Sequence, residues 1–225
     1  MRAAAKKPTK KTAPAGATKK ATPAPPVESK KRGPKPKGTL TRDIVAAAGL
    51  ATVDRDGFSG FSLRQVAREL GILPNAVYTY ARTRTELEQL VVDRIIAEAD
   101  ISLLDPDAGP WRERIEAYLQ SLREALLAHP GAAPLLMATP LDGPHARTMG
   151  ESLLITLMEA GLNGPDAARA VWPLLVQTFG AGRERYAAVD EDTYPNLYLA
   201  RHVIARWPSN QQFLWGLRHF LDNLT

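Results

Sequence analysis

All ten lysines of this 225-residue chain fall within its first 37 residues. Arg2 and Arg32 join them, and Glu28 is the single acid there, so the segment carries a net charge of +11. The other 188 residues hold 17 arginines and 23 acids, a net of −6. Residues 1–37 are otherwise mostly Pro, Ala and Thr, with no aromatic side chain. Such a segment cannot bury enough apolar surface to offset the entropy of ordering it. The sequence therefore predicts a disordered, partly polyproline basic tail joined to a mildly acidic folded body. The tail reads either as a nucleic-acid arm, since Lys and Arg release counterions from phosphates, or as a solubilising leader.

The folded part is bounded by exclusion. No run approaches the roughly 18 apolar residues of a membrane span. Met1-Arg2-Ala3 leads into no apolar signal region. Cysteine is absent, which removes disulfides, thiolate metal sites and thiol catalysis and fits a cytoplasmic protein. The four histidines (129, 145, 202, 219) form no H-E-x-x-H, and no P-loop, G-x-S-x-G or G-x-G-x-x-G is present. The expectation is a protein that is not an enzyme and carries no metal and no cofactor.

From Gly38 the pattern becomes helical. Thr41 can cap a helix showing Ile44, Ala48 and Ala51 on one face, ended by Asp56-Gly57. Ser62 and Gln65 make an S-x-x-Q capping box, with Phe61 and Val66 at staple spacing. The helix they open runs from Leu63 to Leu70 and stops at Gly71. A third helix is predicted from Pro74 to Arg82. Two short helices around a glycine turn form a helix-turn-helix. An ordinary helical hairpin would show an apolar stripe on both helices. Here the second has only Ala76, Val77 and Ala81 as apolar anchors, and hydroxyls and an amide elsewhere suit phosphates and base edges.

Residues 40–95 resemble the DNA-binding domain of the tetracycline-repressor (TetR) family. The resemblance rests on Phe61-Ser62-Leu63-Arg64-Gln65-Val66-Ala67-Arg68-Glu69-Leu70-Gly71, Pro74, Val77-Tyr78-Thr79-Tyr80, Arg84 and Glu86-Leu87. Leu73 stands where the family usually has Ser or Thr, Ala81 replaces a larger apolar residue, and Arg84 replaces the usual Lys. The resemblance implies that Arg64 reaches the groove floor or a phosphate. It places Asn75, Ala76, Thr79 and Tyr80 on the recognition face and makes Tyr78 and Arg84 phosphate contacts. Residues 38–100 hold seven arginines and nine acids, a low charge for a DNA reader. The tail can supply the missing attraction, with Lys30, Lys31, Arg32, Lys35 and Lys37 as its densest DNA contacts. That stretch resembles an AT-hook, with Pro34 in place of the central arginine.

Residues 101–225 read as further helices with no strand alternation, so the fold class is all-α: a three-helix head, 38–84, followed by a larger helical body, 85–225. Apolar stripes run from Trp111 to Leu126 and through Leu153, Leu157 and Met158. A longer helix opens near Pro165, with Trp172-Pro173 predicted to kink or loosen it. A last helix begins at a second capping box, Ser209 to Gln212. The resemblance implies a homodimer, formed through 165–188 and 210–223, and a small-molecule effector held in the body. An apolar or amphipathic ligand fits a pocket drawn from Leu103, Tyr118, Leu122, Met137, Leu153, Met158, Trp172 and Phe179. Metal–tetracycline repressors use a His and a Glu toward magnesium. Leu136 and Tyr186 fall near those positions and cannot ligate Mg²⁺, so a tetracycline–magnesium effector is disfavoured. The function expected is a regulator, in the first place a repressor, that binds palindromic double-stranded DNA as a dimer and is released by its effector. The alternative is a nucleoid protein acting mainly through its tail.

Overall fold

The structure is a computed structural model that describes residues 40–180 and 190–224. Among them are ten α-helices and no strand. In chain order these are α1 (Arg42–Asp56), α2 (Leu63–Leu70), α3 (Pro74–Val77), α4 (Arg84–Ile96) and α5 (Trp111–Ala128). Then come α6 (Ala133–Ala138), α7 (Pro144–Glu159), α8 (Gly164–Gly180), α9 (Pro195–Arg206) and α10 (Ser209–Asp222). The expected tail contacts Lys30, Lys31, Arg32, Lys35 and Lys37 lie outside the described residues, as does Tyr186.

The Thr41 hydroxyl accepts the Ile44 N–H at 3.2 Å and starts α1 as its sequence predicts. The buried face differs from the expected one. Ile44 and Ala51 are exposed, whereas Val45, Ala48, Leu50, Thr52 and Val53 are buried. In so alanine-rich a helix several stripes are nearly equivalent, and packing on α4 selects one.

Ser62 caps α2 by accepting the Gln65 N–H at 3.3 Å. The reciprocal half of the box does not form. Gln65 donates its amide to Asp56 at 2.8 Å, which ties α2 to the end of α1. Gly71 closes α2 at φ 64° and ψ 32°, a left-handed conformation that glycine adopts without the Cβ penalty.

Helix α4 is the common wall of head and body. Leu87, Val91, Val92, Ile95 and Ile96 are all buried. They join one apolar cluster running from Val45 and Phe61 in the head to Leu119, Leu153, Leu174 and Leu217 in the body. Residues 39–225 accordingly form one compact unit, with no break near residue 84.

Two helix starts differ from their sequence signatures. Helix α7 opens at Pro144, ahead of the expected Thr148, because Asp93 of α4 accepts the Ala146 N–H at 3.0 Å. A cap lent by another helix leaves no local signal. At α10 the second capping box is absent: the Ser209 hydroxyl accepts a hydrogen bond from Arg123, and Gln212 donates to the Trp207 carbonyl at 2.6 Å. Helix α8 runs continuously through Pro173, and α9 is a helix beyond those predicted from periodicity. No helix among the described residues is long and apolar enough to cross a membrane.

Candidate nucleic-acid interface and effector region

The head builds its outer surface on a rigid frame. Arg55, at the end of α1, donates to Asp56 at 3.0 Å and to Glu69 of α2 at 2.6 Å. Hydrogen bonds from Arg55 and Gln65 hold the Asp56 carboxyl below its usual range. Helix α3 is shorter than predicted, Pro74–Val77, and continues as a turn in which Tyr80 and Ala81 both donate to the Val77 carbonyl. Val77 and Ala81 are fully buried and anchor it.

On this frame Arg64, Asn75, Tyr78 and Thr79 are exposed, and Ala76 is half-buried. Arg64 has no hydrogen bond or ion pair among the described residues. It is thus a cation free to meet a phosphate or a guanine edge. Tyr80 and Arg84 are differently placed. The Tyr80 hydroxyl donates to the Leu40 carbonyl, which pins the chain before α1 to the end of α3. Arg84 pairs with Glu88 at 2.7 Å, donates to the Phe58 carbonyl at 3.2 Å and lies over the Phe58 ring at 4.6 Å. Leu73 makes no cap and is 78% exposed at the start of α3.

A side-chain linkage joins this head to the body, and a second ties α4 to α7. His129, at the end of α5, lies between two carboxylates: Nδ1 is 2.7 Å from Asp54 of α1 and Nε2 is 2.9 Å from Glu98, just beyond α4. Burial opposes its protonation, but the two carboxylate hydrogen bonds outweigh it and raise its pKa. Close by, a Cβ at Gly131 would stand 2.6 Å from the Val53 carbonyl oxygen, so the turn after α5 abuts α1. The second linkage is Asp93, which is buried and bonded to His145 Nδ1 at 2.9 Å as well as to the α7 amide.

The eight predicted effector contacts do not share one surface. Tyr118, Leu122, Leu153 and Phe179 are buried in the body. Leu103 is half-buried and lines a cleft with Glu113, Glu116 and Ser121. Met137, Met158 and Trp172 are 50%, 45% and 55% exposed, so within one chain they do not line an interior pocket. Packing buries nearby leucines instead: Leu136 beside Met137, Leu157 beside Met158, and Leu174 two residues beyond Trp172. Tyr118 is distinctive. Only 1% of it is exposed, and burial pushes its hydroxyl pKa well up.

Comparisons with known proteins agree with this geometry. The family of tetracyclin repressor-like C-terminal domains matches residues 105–196. The HTH-type transcriptional repressor DrrR1 of Streptomyces coeruleorubidus is 32% identical over 188 residues, covering 84% of this chain and 68% of that protein. The chain belongs to the TetR family. An HTH-type transcriptional regulator of Saccharopolyspora erythraea is 33% identical over 135 residues, which cover 60% of this chain and 56% of that regulator, little over half its length. Among solved structures, the TetR-family protein ActR of Streptomyces coelicolor, in complex with actinorhodin, superposes with a TM-score of 0.69. It is 25% identical, covering 83% of this chain and 96% of that one.

As a TetR-family protein the chain is a transcriptional regulator, and its most distinctive residues are not the ones its motif displays. His129 carries the head–body linkage and Asp93 the tie between α4 and α7, yet no local pattern marks them. Their partners lie 75 and 31 residues away for His129 and 52 and 53 residues away for Asp93. The histidine–proline–glycine run at 129–131 is the one sequence signal, and it reads as a helix end.

Proposed function

We propose that this TetR-family regulator is a repressor that binds palindromic operator DNA as a homodimer and is released when a small apolar or amphipathic molecule, without an obligatory metal, occupies its body. The observation that carries the DNA half is the exposed set Arg64, Asn75, Tyr78 and Thr79, held on a frame braced by Arg55 and by the buried anchors Val77 and Ala81. Tyr78 meets a phosphate, and Asn75 and Thr79 read base edges. The effector half is supported by the match of residues 105–196 to tetracyclin repressor-like C-terminal domains. The ActR complex with actinorhodin is consistent with it. Trp172 of α8 and Trp215 of α10 are each 55% exposed, apolar surface that dimerisation would cover.

Release requires a ligand that binds the DNA-incompetent arrangement better than the competent one. Helix α4 is the lever in this reading. It packs in the core of both parts and is tied to α7 through Asp93, and His129 joins its end to α1. Selection of bound sequences from random DNA should return an inverted repeat whose half-sites lie about one helical turn apart, roughly 34–36 Å or a modest extension of it. Light scattering should give a dimer with and without DNA. Binding of all sequences alike, or a monomer at micromolar concentration, would overturn this function. Thermal-shift screening with and without EDTA tests the metal-free effector, and a strict metal requirement counts against it.

A further inference from the structure

The body contains a buried positive charge with no negative partner among the described residues. Arg123 of α5 is 5% exposed. One terminal nitrogen donates to the Ser209 hydroxyl, the guanidinium lies 5.5 Å from the Phe213 ring centroid, and the buried Nε has no partner. No carboxylate stands within ion-pair distance of it among the described residues. Glu124, the acid whose field reaches it, is exposed to solvent, and burial lowers the Arg123 pKa from the usual arginine range. Arg114, on the same helix and equally buried, also has an unpartnered Nε, but its charge is paired: it bonds to Glu159 and donates to the Leu104 carbonyl at 3.2 Å.

A second feature meets Arg123 at the same place. Ser209 is the first residue of the 14-residue helix α10, whose N-terminal flank is Pro208 and whose first turn has no side-chain cap. The free amides there form the positive end of the helix dipole. A desolvated guanidinium against a positive helix end is unfavourable without an anion between or beside them. A carboxylate satisfies both, because it matches the guanidinium fork and accepts backbone N–H groups. Phe213, buried one turn further along α10, supplies an apolar wall.

We propose that Arg123, with Ser209 and the start of α10, is the binding site for the anionic group of the effector, and that the effector is an amphipathic organic acid whose apolar portion lies on Phe213. This rests on the effector reading above and assigns the chemical class of the ligand.

The test uses the full-length protein and a matched panel: 2-naphthoate, the neutral 2-naphthamide, and sulfate alone. Thermal midpoint and release of selected operator DNA are both recorded. In the wild type the naphthoate should bind roughly tenfold or more tightly than the amide, the size of a charge-assisted hydrogen bond. Arg123→Gln should remove that difference, and sulfate should protect less than the naphthoate at equal concentration. Without ligand, Arg123→Met should unfold at the same temperature as wild type or higher, because it removes an uncompensated charge while keeping the packing. An Arg123→Met protein that unfolds earlier makes Arg123 a structural residue and overturns the site. Acid and amide binding alike overturn the anion site and leave the effector reading standing. No binding by any of the three, or equal protection by sulfate, overturns the organic-acid occupant, whereas failure of every small molecule to release DNA overturns the effector reading itself.

Discussion

Single residues of the head divide sharply between exposed positions and internal braces. Asn75 and Thr79 are exposed, whereas the hydroxyl of Tyr80 and the guanidinium of Arg84 are engaged within the head. Asn75→Ala or Thr79→Ala should therefore change which bases are preferred, at about 1–3 kcal/mol per lost base contact. Arg64→Ala should weaken binding to all sequences and lower the salt slope by about one if its partner is a phosphate. Binding to sequence libraries at several salt concentrations separates the two behaviours, and unchanged preference in both the Asn75 and Thr79 variants would dismiss the recognition face. His129 makes a second residue-scale prediction. Its pKa in the folded protein is raised, so the stabilisation it gives is complete below the unfolded histidine value of about 6.5 and is lost as pH climbs through the higher folded value. The thermal midpoint should fall across that window in the wild type and fall less in His129→Gln. Equal slopes would show that the clamp does not contribute.

Helix ends decide how the elements are joined. Ser62 and Thr41 cap their own helices through contacts three residues apart, and both were readable from spacing. Helix α7 is capped from α4, by a buried carboxylate that also holds His145. Asp93→Ala should cost about 1–2 kcal/mol in urea unfolding, the range of a lost N-cap, and should also weaken DNA binding because α4 loses its tie to α7. Ser62→Ala should cost about 1 kcal/mol through α2 alone. A stability loss in Asp93→Ala with unchanged operator affinity would show that this tie does not transmit. The expected but unformed cap at Ser209 belongs to the same scale. Its hydroxyl is taken by Arg123, a partner 86 positions away that no local motif announces.

At the scale of the whole molecule, charge is distributed against the expected function. Residues 38–100 carry seven arginines and nine acids, while residues 1–37 carry +11. A phosphate reader with so little charge of its own should depend on the tail for long-range attraction. Deleting residues 1–37 should lower affinity for every DNA sequence and flatten its dependence on salt, while sequence preference survives. Equal affinity and equal salt slope after deletion would leave the tail a solubilising leader. Such a deletion spares the apolar cluster, which begins after it and runs unbroken from Val45 to Leu221.

The sequence by itself determined the all-α class, the helix-turn-helix and its caps, and the segregation of charge, because these depend on periodicity, on turn residues and on contacts three or four positions apart. Of the three expected anchors Ala76, Val77 and Ala81, the last two are fully buried and Ala76 is half-buried. Tertiary structure decided which of several near-equal stripes α1 buries, which aromatic and methionine residues of the body face inward, and that head and body share one core through α4. It alone brought His129 to Asp54 and Glu98, Asp93 to the start of α7, and Arg123 to the start of α10. Those pairings join residues far apart in the chain, and the free energy that selects them comes from burying several helices at once, which no local segment encodes.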